Sequence, residues 1–317
     1  MSNLSRTGAV ALGLAALLSP LSTLAATQVV TSIKPVELLV KAVAPDDVQV
    51  TSLVPAGSSP HNYTMRPSQR RALENADVIF WVGPEMETFL SRLLGGEEFK
   101  ARAVSLMHGD EVPEAEAVDA HHHGHHDDHN DDHNDAHAHD HGDGEDPHIW
   151  LDPALALDMA QDIHRALSQL EGADTEALDA NLAHFETSLR EAEDNIRHRL
   201  EPLADISLFA YHDAFTRYAG HFNLKLEGVL TLNPELSPGA RHIAEVQDKL
   251  RAANQPCLLT EPQFNRQWWR SITDGLDITF STWDPLATDV ESDRDGYVNF
   301  LQGIADNALS CLPEKTR

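Results

Sequence analysis

The chain has 317 residues, 51 of them acidic and 23 basic, for a formal charge of −28. That balance excludes nucleic acid as a partner, because phosphate recognition needs a basic surface. The length suits one large domain or two lobes better than one small core. Fourteen of the acids lie between Asp110 and Asp146, and without them 37 acids still face 23 bases.

The first 26 residues, "MSNLSRTGAVALGLAALLSPLSTLAA", carry one basic residue, Arg6, an apolar stretch from Ala9 to Leu18, and small residues at Thr23, Ala25 and Ala26. This pattern predicts a cleavable export leader over residues 1–26, cut near Ala25 or Ala26. The apolar stretch is too short to span a bilayer, which takes ~20 residues. The leader holds no cysteine for a lipid anchor, so a soluble periplasmic product is expected.

Short β-rich runs then alternate with helical patterns. "QVVTSI" (28–33) reads as a strand, "VELLVKAVA" (36–44) as a helix and "VQVTSLV" (48–54) as a strand. Pro67 opens a helix through Ala76 with Ser68 as its expected N-cap. "VIFWVG" (78–83) is continuously apolar, as in a strand buried on both faces. A helix from about Glu85 to Leu94 and the strand "RAVSL" (102–106) follow. This alternation predicts parallel βα units.

From about residue 114 to 145 the chain becomes a His/Asp-rich insertion without hydrophobic period, unable to bury enough apolar surface to order itself. Its ten histidines are His121, His122, His123, His125, His126, His129, His133, His137, His139 and His141. Helical sequence resumes at Asp152. A long helix is predicted over Thr175 to Leu200, with Leu178, Leu182, Phe185, Leu189, Ile196 and Leu200 along one face and Pro202 ending it. A second βα series holds "SLFAYH" (207–212), "NLKLEGVLT" (223–231), "PCLLTEP" (256–262) and "ITFSTWDP" (278–285). The predicted fold class is therefore α/β, with two lobes of four mostly parallel strands (27–173 and 203–317) joined by one long rigid helix (174–202).

Cys257 and Cys311 are the only cysteines. In an exported chain an isolated pair without CxxC spacing predicts a disulfide rather than a thiolate metal site. Closing that loop contributes about 4 kcal/mol on chain entropy.

Three histidines lie where strands or ordered segments meet loops. His61 sits in "GSSPHNYTMRPS", His148 in "DPHIWLDP", and His212 closes "SLFAYH". Ligands of open α/β sheets gather beyond the carboxyl ends of strands. Asp284, closing "ITFSTWD", is a fourth candidate. Three imidazoles and a carboxylate suit zinc, whereas manganese or magnesium call for more oxygen. His108, His164, His184, His198, His221 and His242 read as ordinary core or surface residues.

The segments "PHNYTMRPSQRRALENADVIFWVGPEME", "DPHIWLDP", "YHDAFTRYAGHFNL", "NPELSPGARHIAEV" and "TEPQF" resemble, in order and over nearly the whole mature chain, the metal-binding solute-binding proteins of ABC importers. The acidic His tract and the late cysteine pair are similar to the zinc branch. The resemblance implies metal in an inter-lobe cleft, with His61, His148 and His212 as ligands and Asp284 at the position where related members use an aspartate. Some zinc members carry a glutamate before the first histidine; this chain has Pro60 there, so water is the other way to fill the site. Glu261 is expected to orient an imidazole. The implied cargo is zinc(II). The implied partners are an integral membrane permease and its cytoplasmic ATPase, with the protein itself a monomer. The His tract would collect zinc weakly and raise its local concentration, or sense excess zinc or touch the permease. Cys257 begins the strand whose far end carries Glu261, so a disulfide there would face away from the metal.

Three rival readings remain. A manganese- or iron-importing relative would use more oxygen ligands. A secreted zinc hydrolase would need an open metal position and a general base, and no HExxH occurs. A periplasmic zinc buffer would work through the His tract alone.

Overall fold

The computed structural model describes residues 26–107, 146–231, 239–264 and 266–313. The expected leader up to Ala25, the His/Asp-rich insertion with its ten histidines, and the start of "NPELSPGARHIAEV" lie outside the described residues.

The first half runs β1 (Gln28–Thr31), α1 (Lys34–Val43), β2 (Gln49–Ser52), α2 (Pro67–Asn75), β3 (Val78–Trp81), α3 (Thr88–Leu94) and β4 (Ala103–Ser105). Its four strands form one parallel sheet in the order β2-β1-β3-β4. After a 3₁₀ turn at Ile149–Leu151 come α4 (Pro153–Ser168) and α5 (Thr175–Leu200). The second half holds β5 (Leu208–His212), α6 (Thr216–His221), β6 (Leu226–Thr231), α7 (Ala240–Ala252), β7 (Cys257–Thr260), α8 (Arg266–Thr273), β8 (Thr279–Thr282) and α9 (Gly296–Leu309). Its strands make a second parallel sheet, β6-β5-β7-β8. The fold is the expected two-lobed α/β arrangement, and every strand pairing among the described residues is parallel.

Burial follows position in the sheet. β3, β5 and β7 are buried at every residue, because helices cover both faces of an inner strand. The edge strand β2 alternates exposed and half-buried residues instead. The N-terminus of α2 differs from expectation: Pro67 takes the first helical position, so Ser68 is already inside the first turn and Arg66 is the cap. The Gln69 side chain closes that turn by accepting from the Arg66 N–H at 2.6 Å.

The helix α5 is a spine. Asp174 caps it by accepting from the Ala177 N–H at 3.0 Å, and Arg197, His198 and Arg199 sit in its last turn, where cations complement the helix dipole. Its buried face is Leu178, Asn181, Phe185, Leu189, Ala192, Ile196 and Leu200, with Leu182 at the margin of that face. Asn181 is the polar member. Its amide donates to the carbonyls of Val43 and Ala44, both at 3.1 Å, and its oxygen accepts from Arg294. It thus satisfies the end of α1 and ties the second half of the chain to the first.

The two sheets share one core. A single apolar cluster runs from Val29 and Phe80 through Trp150, Met159 and Phe185 to Leu208, Trp283 and Tyr297. A smaller cluster backs each sheet on its outer side. The helix α9 packs on both α1 and α5, and Gly296 opens it where an added Cβ would come within 2.6 Å of the Glu291 carbonyl and 2.8 Å of Leu38. Cys257, at the start of β7, is bonded to Cys311 just past α9, with the Cα atoms 5.7 Å apart. The bond ties a helix that rests on the first half to an inner strand of the second.

Two stability predictions follow from these ties. Asn181→Ala leaves two buried carbonyls without donors, at about 1–3 kcal/mol. Thermal unfolding should then fall by several degrees, at ~2–4 °C per kcal/mol for a chain of this size. Cys257→Ser with Cys311→Ser should lower the unfolding free energy by about 2–5 kcal/mol while leaving the far-ultraviolet circular dichroism unchanged. A loss of secondary structure instead would mean that the bond is needed to form the lobe.

Candidate metal centre

Three segments converge at the carboxyl edges of the two sheets. His61 lies in the turn-rich stretch between β2 and α2, His212 is the last residue of β5, and His148 directly precedes the 3₁₀ turn at Ile149–Leu151. The strand-end rule thus places two of the three. The third is set by Asp146, whose Oδ1 accepts from both the His148 N–H, at 3.0 Å, and its Nδ1, at 2.7 Å. Trp150, two residues on, is anchored across the molecule: its Nε1 donates to the Pro285 carbonyl at 2.7 Å, and its own carbonyl accepts from the Tyr297 hydroxyl at 2.7 Å.

The ring centroids of His61, His148 and His212 stand 5.1–5.5 Å apart. One nitrogen from each lies within 4.8 Å of the other two. His148 and His212 are buried and His61 is half-buried. Donors around a tetrahedral zinc at ~2.0–2.1 Å sit ~3.4 Å apart, so small ring rotations bring the set to bonding distance. The pocket is walled by Pro60, Trp150, Phe264, Pro285 and Leu286 and leaves ≈ 20 Å³ to a water-sized sphere. That space takes a single ion rather than an organic solute, whose sites run to several hundred Å³.

The electrostatics favour neutral rings with a cation between them. Burial, with His148 and His212 alongside, pushes His61 down to about 3. Burial also lowers His148, against the pull of its Asp146 hydrogen bond. At His212 burial pushes the same way, but the carboxylates around it, Glu261 first and then Asp213 and Asp146, together outweigh it and the net shift is upward. Glu261 is buried one residue beyond β7, and His212 Nδ1 lies 3.3 Å from both of its oxygens. The pairing follows from sheet register, since Ala210 faces Leu259 and two further residues along each strand reach His212 and Glu261. With Nδ1 engaged at both rings, Nε2 is the lone pair left to face the cluster. Burial alone would raise the Asp146 carboxyl. The His148 hydrogen bond and the Arg217 guanidinium, 3.5 Å from Oδ2, hold it below its ordinary value.

Asp284 does not join the three rings. Its Oδ1 accepts from Leu286 N–H at 3.0 Å and from Gln263 Nε2 at 2.6 Å, and its Oδ2 accepts from Thr288 N–H at 2.6 Å. Both oxygens are thereby committed to the turn that follows β8. Pro60 lines the pocket and supplies no ligand atom. Asp146 and Gln263 escaped the sequence reading. The Asp-x-His spacing at 146–148 was a legible signal for the first, because an aspartate readily bonds backbone two residues on. Nothing local marks the second. Among the remaining described histidines, His184 and His198 lie on the exposed face of α5, and His164 pairs with Asp179 at 2.7 Å.

Comparison with known proteins identifies the family. Residues 29–311 match the family model for ZnuA, the periplasmic component A of the zinc-uptake complex. The high-affinity zinc uptake system protein ZnuA of Yersinia pestis is 38% identical over 299 residues, covering 91% of this chain and 92% of the relative. The protein of that name from Brucella abortus (strain 2308) is 32% identical over 308 residues, covering 90% and 92%. A crystal structure of ZnuA superposes with a TM-score of 0.67 at 23% identity, over 89% of this chain and 99% of that one. The solute-binding protein FpvC of Pseudomonas aeruginosa, in complex with Mn2+, gives 0.70 at 18% identity, over 92% and 99%. At such identities the solved structures establish the fold, while the family match and the two relatives extend over nearly the whole chain. The chain belongs to the ZnuA family of periplasmic zinc-uptake components.

Proposed function

We propose that this protein captures zinc(II) on His61, His148 and His212 in the periplasm. It then hands the ion to the integral membrane permease of an ABC importer, driven by a cytoplasmic ATPase. Residues 1–26 direct export and are removed. The protein binds and delivers without catalysing a reaction. The observation that carries the reading is the convergence of three imidazoles from separate segments, two of them backed by a carboxylate. The family match and the names of the relatives support the choice of zinc.

The donor set supports it as well. Three nitrogens favour zinc over manganese, which ranks lowest in divalent affinity and takes oxygen ligands. Asp146 and Glu261 bring negative charge close behind the rings, so the ion is compensated without either being a ligand. The two lobes share one core and are pinned by Trp150 and α9, so loading should proceed by local ring movement rather than wide closure.

Isothermal titration tests the reading. With residues 119–143 deleted, one tight zinc per chain should survive. His212→Ala in that background should abolish it. Asp146→Asn should weaken it by about 10–100-fold, the usual cost of losing an outer hydrogen-bond partner, and excess manganese should not compete. Survival of tight binding in His212→Ala would overturn the proposal.

Acidity supplies a second prediction. Bound imidazole must be neutral. His212, raised above its ordinary 6.5, gains its proton first as pH falls, whereas His61 resists protonation down to about 3. Affinity should therefore decline by about tenfold per pH unit once His212 takes its proton, with a slope of one proton before His148, which burial lowers, and then His61 take part. A slope of three protons near pH 6 would contradict this ordering.

A further inference from the structure

We propose that Gln263, held in one orientation by Asp284, accepts a hydrogen bond from a water that completes the coordination of the cation on the three histidines. This rests on the reading of those histidines as zinc ligands and adds the residue that holds a solvent ligand in the fourth position.

Asp284 fixes the orientation of the Gln263 amide. A carboxylate only accepts, so the group that Gln263 presents to it must be the amide NH₂. The 2.6 Å contact therefore fixes the amide, and Oε1 is turned the other way. The aspartate is itself immobilised by the Leu286 and Thr288 N–H groups. Gln263 lines the same pocket as His61, His148 and His212. Its Oε1 is buried and has no hydrogen-bond partner among the described residues. A buried acceptor of that kind calls for a donor. Several donors of the pocket are committed elsewhere: Trp150 Nε1 to the Pro285 carbonyl, and the Nδ1 atoms of His148 and His212 to Asp146 and Glu261.

A tetrahedral ion on three imidazoles has one position left. Pro60 brings no donor atom to it, and the oxygens of Asp284 are occupied elsewhere. Water on a divalent cation is a polarised O–H donor, which is what Oε1 lacks. A neutral amide acceptor at this place also keeps the ligand set at three nitrogens and one solvent oxygen. The consequence for delivery is direct: a donor atom from the receiving permease can replace the solvent molecule before any imidazole lets go.

The test uses the full chain with Gln263→Leu and Asp284→Asn. The second variant keeps the glutamine and removes the charge that orients it, so it separates orientation from loss of bulk. Zinc affinity is measured by competition titration, and the visible spectrum of the cobalt(II) form is followed as azide is added. Each variant should still take up one tight metal, with affinity lowered about 10–100-fold. Azide should replace the solvent ligand at lower concentration than in the unsubstituted chain. Unchanged affinity and azide response in either folded variant overturns the proposal. So does an unsubstituted cobalt spectrum that azide never alters, which would mean that a protein atom, Oε1 included, fills the fourth position. Failure of the unsubstituted chain to bind one tight metal would bring down the three-histidine reading, and this proposal with it.

Discussion

Three imidazoles pressed together in a buried cleft are tolerable only while they stay uncharged, and the rest of the architecture serves that condition. Two protonated rings about 5 Å apart would repel in a setting where solvent screens poorly. The fold therefore withdraws His61 and His148 from protonation by burial. Only His212 has enough carboxylate about it, Glu261 first, to be raised. The result is a cluster of lone pairs with negative charge set one layer back, on Asp146 and Glu261. Such a cluster is complementary to a small divalent cation and to little else.

Holding rings from three segments in one place requires that those segments not drift. The shared core, rather than a flexible joint, provides this. Trp150 links the His148 segment to Pro285, Tyr297 closes on Trp150, and α9 leans on α1 and α5 at once. The Cys257–Cys311 bond sits at the opposite end of β7 from Glu261, so it braces the second sheet without entering the cleft. Asn181 plays the comparable part on the spine by satisfying the end of α1 from within an otherwise apolar face.

Much of this was legible in the sequence because it depends on period and composition. The spine's limits were readable from its stripe and from Pro202, and the buried inner strands from their unbroken apolar runs. The helices of the second half between its strands left weaker signals; α6 is a single short stretch of six residues. Asn181 and Ala192 belong to the buried face of α5, yet neither is apolar and large, so a hydrophobic stripe passes over them. Asp284 is harder to read, for a physical reason. A carboxylate at a strand end resembles a ligand, but "DPLAT" also places N–H groups two and four residues on, where they turn the carboxylate inward on its own loop. The partners that orient the rings are of two kinds. Asp146 is local to His148 and could be read from spacing, whereas Glu261, expected beside an imidazole, finds its particular ring through strand register; Gln263, which lines the same pocket, gets there by loop packing that one dimension does not encode.

The central claim is that side chains from both halves of the chain share one ion. Diffraction from crystals of the zinc-loaded protein, collected at the zinc absorption edge, tests it most directly. The account predicts one strong anomalous peak at ~2.0–2.1 Å from a nitrogen of each of His61, His148 and His212, with Asp284 outside bonding distance. A fully loaded crystal with no peak among those three rings would contradict it.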